Sequence, residues 1–489
     1  MPKILNIIQS LQEFLWSFPM LVLLMGTHIY FTVRTRFIQR KIPEGIRLSL
    51  TGTGQKADIG SREEADTGSR RKHGPGQGRN RSRGGAGEGN VSPFSALATA
   101  LAATIGTGNI IGISTAVAIG GPGAVFWCWM TGVLGIATCY AECYLSVSCR
   151  RKQEDGSFQG GPMYVMEHVL HQKSAAVLFS VSVILVSLGM GSSVQSHSIT
   201  AAVLEQGEIS PQIIGAVTAV LTGAVILGGA KQIAKICTWL VPFMSFFYLG
   251  GCFLLIWMNR SFLPDTLRII IRSAFSSRSL IGGCAGTAVM TGMRVGISRG
   301  LFTNEAGLGS IPLAAASART ESARQQALVS MTGTFWDTVV MCAVTGIAVV
   351  GSMLRQPEVF RGAAPDRLCF LAFSQLDLFF KKIFPGAAHA PGFLQVDGKL
   401  VLSAALVLFA FATIIGWSFY GECAVRYLWG KERLRQYHFL YIAAVYLGAV
   451  LSLDLVWTLS DLFNSLMAIP NLLCLWMLRE IVIKETLVE

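Results

Sequence analysis

Two stretches, Leu101-Ala-Ala-Thr-Ile-Gly-Thr-Gly-Asn109 and Gly300-Leu-Phe-Thr-Asn-Glu-Ala-Gly307, interrupt runs that otherwise have the composition of membrane-spanning helix. A helix broken inside a bilayer leaves backbone N–H and C=O groups without partners. Such groups persist there only where a substrate, an ion or neighbouring protein satisfies them. Paired breaks in the two halves of a chain therefore point to a carrier whose binding site lies between them.

The remaining sequence fits this reading. The chain is 52% hydrophobic and 14% charged, with mean hydropathy +0.52, and long apolar runs recur from end to end, as in a polytopic all-α membrane protein. Hydropathy and turn residues predict about eleven spans, at 13–33, 94–118, 123–147, 175–203, 211–230, 236–258, 284–317, 327–352, 400–428, 438–456 and 460–479. The seventh is the least apolar, because Arg294, Arg299, Asn304 and Glu305 fall inside it, and that polarity marks a functional element. Ser92-Pro93 supplies a helix N-cap and first-turn proline, so a helix starts there and runs to the Gly106 break.

Setting aside 1–33 as an extra N-terminal helix, read as an uncleaved span, leaves ten spans, and the broken ones are the first and sixth of these. The expected plan is a five-plus-five inverted repeat, with 92–258 as the first set, 259–279 an external amphipathic segment and 280–480 the second set. The second set includes a long external loop, 353–399, and a cytoplasmic tail follows at 481–489. The segment 34–91 holds thirteen Lys/Arg against six Asp/Glu, and its Gly/Ser-rich part, 52–90, is expected to be disordered. The positive-inside rule places 34–91 in the cytoplasm, with the N-terminus outside and the C-terminus inside, in the cytoplasmic (inner) membrane.

The pI of 9.3 does not argue for nucleic acid, since the excess is concentrated in this one loop beside a bilayer, where it attracts anionic lipid. Eleven cysteines without a CxxC pair suggest no disulfide framework, transition-metal site or cofactor. No nucleophile–base pairing marks an enzyme.

At the first break, the carbonyls near Ala102 and Ile105 and the side chains of Thr104, Thr107 and Asn109 are hard oxygen donors suited to a hard cation, and Thr413 adds a hydroxyl. Half-helix N-termini suit a substrate carboxylate. Gln195 reads either as a ligand for a carboxylate or amine or as an interhelical hydrogen bond. Trp417 reads as a closure over a small substrate or as packing. Of the acids inside spans, Glu305 and Asp337 are placed as charge partners or gates, whereas Glu142 and Glu422 are expected to pair structurally with Arg150 and Arg426.

The two breaks, together with Gly120-Gly-Pro-Gly-Ala-Val-Phe126, Gly160-Gly-Pro-Met-Tyr164, Gly333-Thr-Phe-Trp-Asp-Thr338, Phe409-Ala-Phe-Ala-Thr-Ile-Ile-Gly-Trp417 and Ala468-Ile-Pro-Asn471, form an ordered set over 92–471 that resembles the alanine or glycine:cation symporters. The resemblance implies sodium-coupled uptake of alanine or glycine, sometimes the D-enantiomer, on the inverted-repeat fold of the amino acid/polyamine/organocation superfamily. By motif, Thr107, Gly108 and Asn109 would meet the substrate carboxylate or the ion, and Gln195, Phe302, Thr303, Asn304 and Trp417 would line the rest. Ala412-Thr413 stands where the family reads Ser-Thr, which removes one oxygen near the sodium site. A proton-coupled carrier using Asp337 and Glu305, or a transporter-like sensor, are the rival readings. The loop 52–90 is expected to be largely an insertion relative to the family.

Overall fold

The computed structural model describes residues 19–51, 89–275, 287–383, 397–451 and 454–487. Each of the eleven predicted stretches carries helix there. These are α1 (Pro19–Arg34), the broken α2 (α2a, Pro93–Thr104; α2b, Ile111–Gly120), α3 (Gly123–Ser148), α4 (Lys173–Leu204) and α5 (Pro211–Ile226). They continue as α6 (Gly229–Met258), the broken α7 (α7a, Thr287–Asn304; α7b, Ile311–Ala315), α8 (Ala323–Arg355), α9 (Gly398–Trp429), α10 (Leu434–Val450) and α11 (Asp454–Met477).

Among the described residues six helices, α3, α4, α6, α8, α9 and α11, contain segments long and apolar enough to cross a membrane, and the bent α2 makes a seventh if its two parts count as one span. Helix α5 has 16 residues and α10 has 17, roughly 25 Å at about 1.5 Å per residue, less than the roughly 30 Å hydrocarbon core, and α1 is described from Pro19 onward. Helix α7a carries Arg294 and Arg299.

Ser92 caps α2a as its sequence suggests, accepting the Ser95 N–H at 3.1 Å, with Pro93 in the first turn. Helix α3 is the axis of one group and packs on α1, α7a and α8. In the other group α4 packs on α9 and α5 on α10, while α4 meets α11 much as α9 meets α6. Helices α2b and α7a join along their length, so the two breaks are neighbours. The outer face of α6 shows Trp239, Phe243, Phe246, Phe253 and Trp257, with Lys231 and Lys235 lining a groove of about 850 Å³ at its start. This is an aromatic, lipid-facing surface away from the breaks.

Two expectations for the loops change. Residues 34–91 are not uniformly loop, because Ile42–Thr51 is an amphipathic helix burying Ile42, Gly45 and Ser49 against the start of α8. Its apolar spacing was masked by the basic residues around it. The end of 52–90 is also fixed: Asn90 exchanges two 2.8 Å hydrogen bonds with the backbone of Phe158, and Val91 bridges to Ala318. Residues 1–18 and 52–88 lie outside the described residues, as do 276–279 of the predicted amphipathic segment, 280–286 at the start of the predicted second set and 384–396 of the long loop. Within the predicted amphipathic segment, Leu263–Phe275 is helix.

Candidate functional site

At the first break, Ile105 is extended (φ −74°, ψ 92°), Gly106 is extended and Thr107–Asn109 forms one 3-10 turn, bending the span by 63°. Asn109 holds this shape. Its Oδ1 accepts the Gly106 N–H at 3.0 Å, and its Nδ2 donates to Asp337 Oδ1 at 2.8 Å and to the Asp337 carbonyl at 3.1 Å. Thr107 Oγ1 donates to Gln195 Oε1 at 3.3 Å, which ties the break to α4. Gln195 follows a π-helical turn, Gly189–Val194, whose widened ring turns the amide inward.

Helix α9 closes the other side. A Cβ on Gly106 would come within 2.7 Å of Thr413 Oγ1, and one on Gly416 would press on the Ala103 backbone, so α2a and α9 touch where the free carbonyls of the break begin. Ala102, Ile105 and Thr413 are all buried, and Thr413 lies beside Gly106 at this contact. Asn109, expected at the same point, instead directs its amide to Asp337. Trp417 packs on Gly191, is fully buried, and faces the Glu305 carboxylate with its indole N–H without reaching hydrogen-bond geometry.

The second break is built differently. Glu305 takes a left-handed conformation (φ 51°), and Gly307 and Gly309 follow with φ of 89° and 85°. For a non-glycine residue this costs about 1 kcal/mol or more. Ser310 Oγ donates to Glu305 Oε2 at 2.5 Å, and Asn304 Oδ1 accepts the Ala306 N–H at 3.0 Å. Glu142 reaches in from α3 to accept the Gly307 N–H (3.2 Å) and the Asn471 amide (3.0 Å), while Asn471 also donates to the Gly307 carbonyl (2.9 Å). Glu142 therefore secures the break and does not pair with Arg150, which donates to the Ala318 carbonyl at 2.6 Å and lies over Phe158. Glu422 likewise bonds His438 Nε2 (2.9 Å) and not Arg426.

Between the breaks sits Asp337, on a π-helical turn of α8, Phe335–Cys342. Thr338 Oγ1 donates to its Oδ2 at 2.6 Å, and Thr338 Oγ1 is 3.5 Å from Thr303 Oγ1. Thr303 also covers Gly108, where an added Cβ would lie 3.1 Å from its methyl group. Thus Thr107, Gly108, Asn109, Gln195, Thr303 and Asp337 form one cluster, with Thr413, Glu305 and Trp417 along its edge. Phe302 is half-buried beside it. Asn304 turns away, toward α3 and α1. Sequence reasoning missed Asn471, Thr338 and Asp461, the acid facing Arg299 across α7a and α11. A polar or acidic residue inside an apolar run was the available signal for each.

The profile of the sodium:alanine symporter family matches residues 1–67 and 77–487, so the part of the loop without a counterpart is 68–76, shorter than the insertion expected over 52–90. The chain is 38% identical over 483 residues to an uncharacterized transporter of Haemophilus influenzae, covering 98% of this chain and 95% of that one. It is 38% identical to the sodium/alanine symporter AgcS of Methanococcus maripaludis, covering 98% of this chain and 96% of the other. In fold it is similar to the crystal structure of MhsT in complex with L-phenylalanine, at TM-score 0.56 and 14% identity over 80% of this chain and 89% of that one. The chain is thus a multi-pass membrane transporter, not an enzyme, that couples an amino acid to a cation, and it belongs to the sodium:alanine symporter family.

Proposed function

We propose that this protein imports alanine or glycine across the cytoplasmic membrane, driven by an inward sodium gradient, with the N-terminus outside and the C-terminus inside. The observation that carries the cation half is Asp337. It is a fully buried carboxylate between the two breaks with hydroxyl and amide donors, and among the described residues it has no ion-pair partner. An isolated charge in such a place costs several kcal/mol, which a bound cation offsets. Sodium would lie among the oxygens of Asp337, Thr303 and Thr338, or among the Ala102 and Ile105 carbonyls with Thr413. The substrate carboxylate would meet Thr107 and Gly108, and its amine would meet Gln195. Trp417, seated on Gly191, and Phe302 would close over a very small side chain.

Alternating access follows from a five-plus-five inverted repeat over 92–258 and 280–480. The matched packing of α4 on α11 and α9 on α6 supports that repeat. Proton coupling is the second reading, favoured by the same carboxylate, since a proton would neutralise it equally well. The test is uptake of labelled alanine into proteoliposomes under a sodium gradient, against potassium with a proton gradient. Accumulation with sodium alone supports the proposal, and equal accumulation with protons sinks its sodium half.

A further inference from the structure

Helix α1 stands outside the ten helices of the repeat, yet it reaches the second break. A Cβ on Gly307 would come within 2.7 Å of Leu24 Cδ2. One turn further along α1, His28 is fully buried, with Nδ1 2.8 Å from Thr138 Oγ1 of α3. Its Nε2 has no hydrogen-bond partner, and neither has Nδ2 of Asn304, also fully buried. Both atoms converge on the same point. A Cβ added to Gly135 of α3 would lie 3.5 Å from His28 Nε2 and 3.6 Å from Asn304 Nδ2.

The chemistry of the pair is complementary. Asn304 Oδ1 already accepts the Ala306 N–H, so the amide cannot flip without losing that bond, and Nδ2 must present a donor over Gly135. The matching state of His28 donates from Nδ1 to Thr138 and leaves Nε2 as an acceptor. A Cβ at Gly135 would also lie 3.3 Å from Ala306 Cβ, so glycine there keeps any side chain from coming between the two polar atoms. Two buried polar atoms converging in this way are the setting in which an ordered water is held.

We propose that His28 is a positioning residue: through one water over Gly135 it holds the Asn304 amide, and with it the end of α7a, in the shape the amino acid binds. The extra helix then has a role in the transport site without touching substrate. The proposal rests on the second break belonging to that site.

The test compares His28→Leu, His28→Gln, Gly135→Ala and Asn304→Ala in proteoliposomes, measuring the half-saturation and maximal rate of alanine uptake and the melting temperature of the purified protein. Loss of one buried hydrogen bond predicts an about tenfold rise in half-saturation for His28→Leu with little change in maximal rate. His28→Gln, which retains an acceptor, should recover most of it. Gly135→Ala puts a methyl group between the two polar atoms, in tight contact with Ala306 at 3.3 Å, and should reproduce His28→Leu. It carries the test alone if His28→Leu does not fold. Unchanged half-saturation in Gly135→Ala, or a His28→Gln no better than His28→Leu, overturns the proposal. If Asn304→Ala leaves alanine uptake intact as well, it is the assignment of the second break to the site that fails. If Asn304→Ala impairs uptake and the other variants do not, only the role of His28 falls.

Discussion

The two breaks do the same thing to a helix by opposite means. The first is shaped by one neutral side chain, Asn109, and every residue in it has φ below zero. The second needs three residues in left-handed conformations, and two carboxylates, Glu142 and Glu305, bond the turn at Gly307 and Ser310. Unusual backbone of this kind persists only where surrounding contacts over-determine it. The first break is thus the simpler element, and the second is a braced joint whose geometry depends on α1, α3 and α11.

If this contrast is right, variants at the shared centre should abolish transport, removing the carboxylate brace of the second break should cost stability, and overpacking the first should cost affinity. The largest effect is expected from Asp337→Ala, which removes the carboxylate common to both: sodium-driven uptake should fall by about 100-fold or more, as befits the loss of two hydrogen bonds to a charged group. Glu142→Ala comes next. It leaves the buried Gly307 N–H unpaired and takes one of the two partners from the Asn471 amide, so unfolding in detergent should lose about 2–3 kcal/mol. A melting temperature equal to that of the unaltered protein would show that the second break needs no brace.

Gly106→Ala tests the first break. Its methyl group meets Thr413 Oγ1 at 2.7 Å, so overpacking of about 1–2 kcal/mol should appear as an about tenfold weaker sodium dependence of uptake. The smallest effect belongs to a surface pair remote from both breaks, Asp155 and Lys431. The Lys431 ammonium and the Ser157 hydroxyl hold the Asp155 carboxyl below the usual carboxylate range. Its contribution is therefore present above about pH 4 and is lost as the pH falls through the lowered value. Asp155→Asn should cost less than about 1 kcal/mol at neutral pH, nothing in strong acid, and no transport. Melting curves across pH check this.

The breaks were legible in the sequence because glycine and polar residues stand out against apolar runs, and the Ser92-Pro93 start of α2a follows from local capping alone. The partners that hold the breaks were not. Asn109 and Asp337 are 228 residues apart, and Glu142 and Asn471 are 329 apart. Nothing local to Glu142 distinguishes Asn471 from the nearer Arg150 as its partner. The π-helical turns at Gly189–Val194 and Phe335–Cys342, which aim Gln195 and Asp337 inward, also leave no mark that propensity can read. The helix Ile42–Thr51 was hidden for another reason, since its charge pattern suggested a loop while its narrow apolar face needed α8 to cover it.

The central claim, that the two breaks make one site in which an amino acid and sodium bind together, is tested most directly by equilibrium binding of labelled alanine to the purified protein in sodium against potassium at fixed pH. The account predicts saturable binding in sodium, little in potassium, and loss of the difference in Asp337→Ala. Equal binding in both salts, or an Asp337→Ala protein that still discriminates between them, would contradict it.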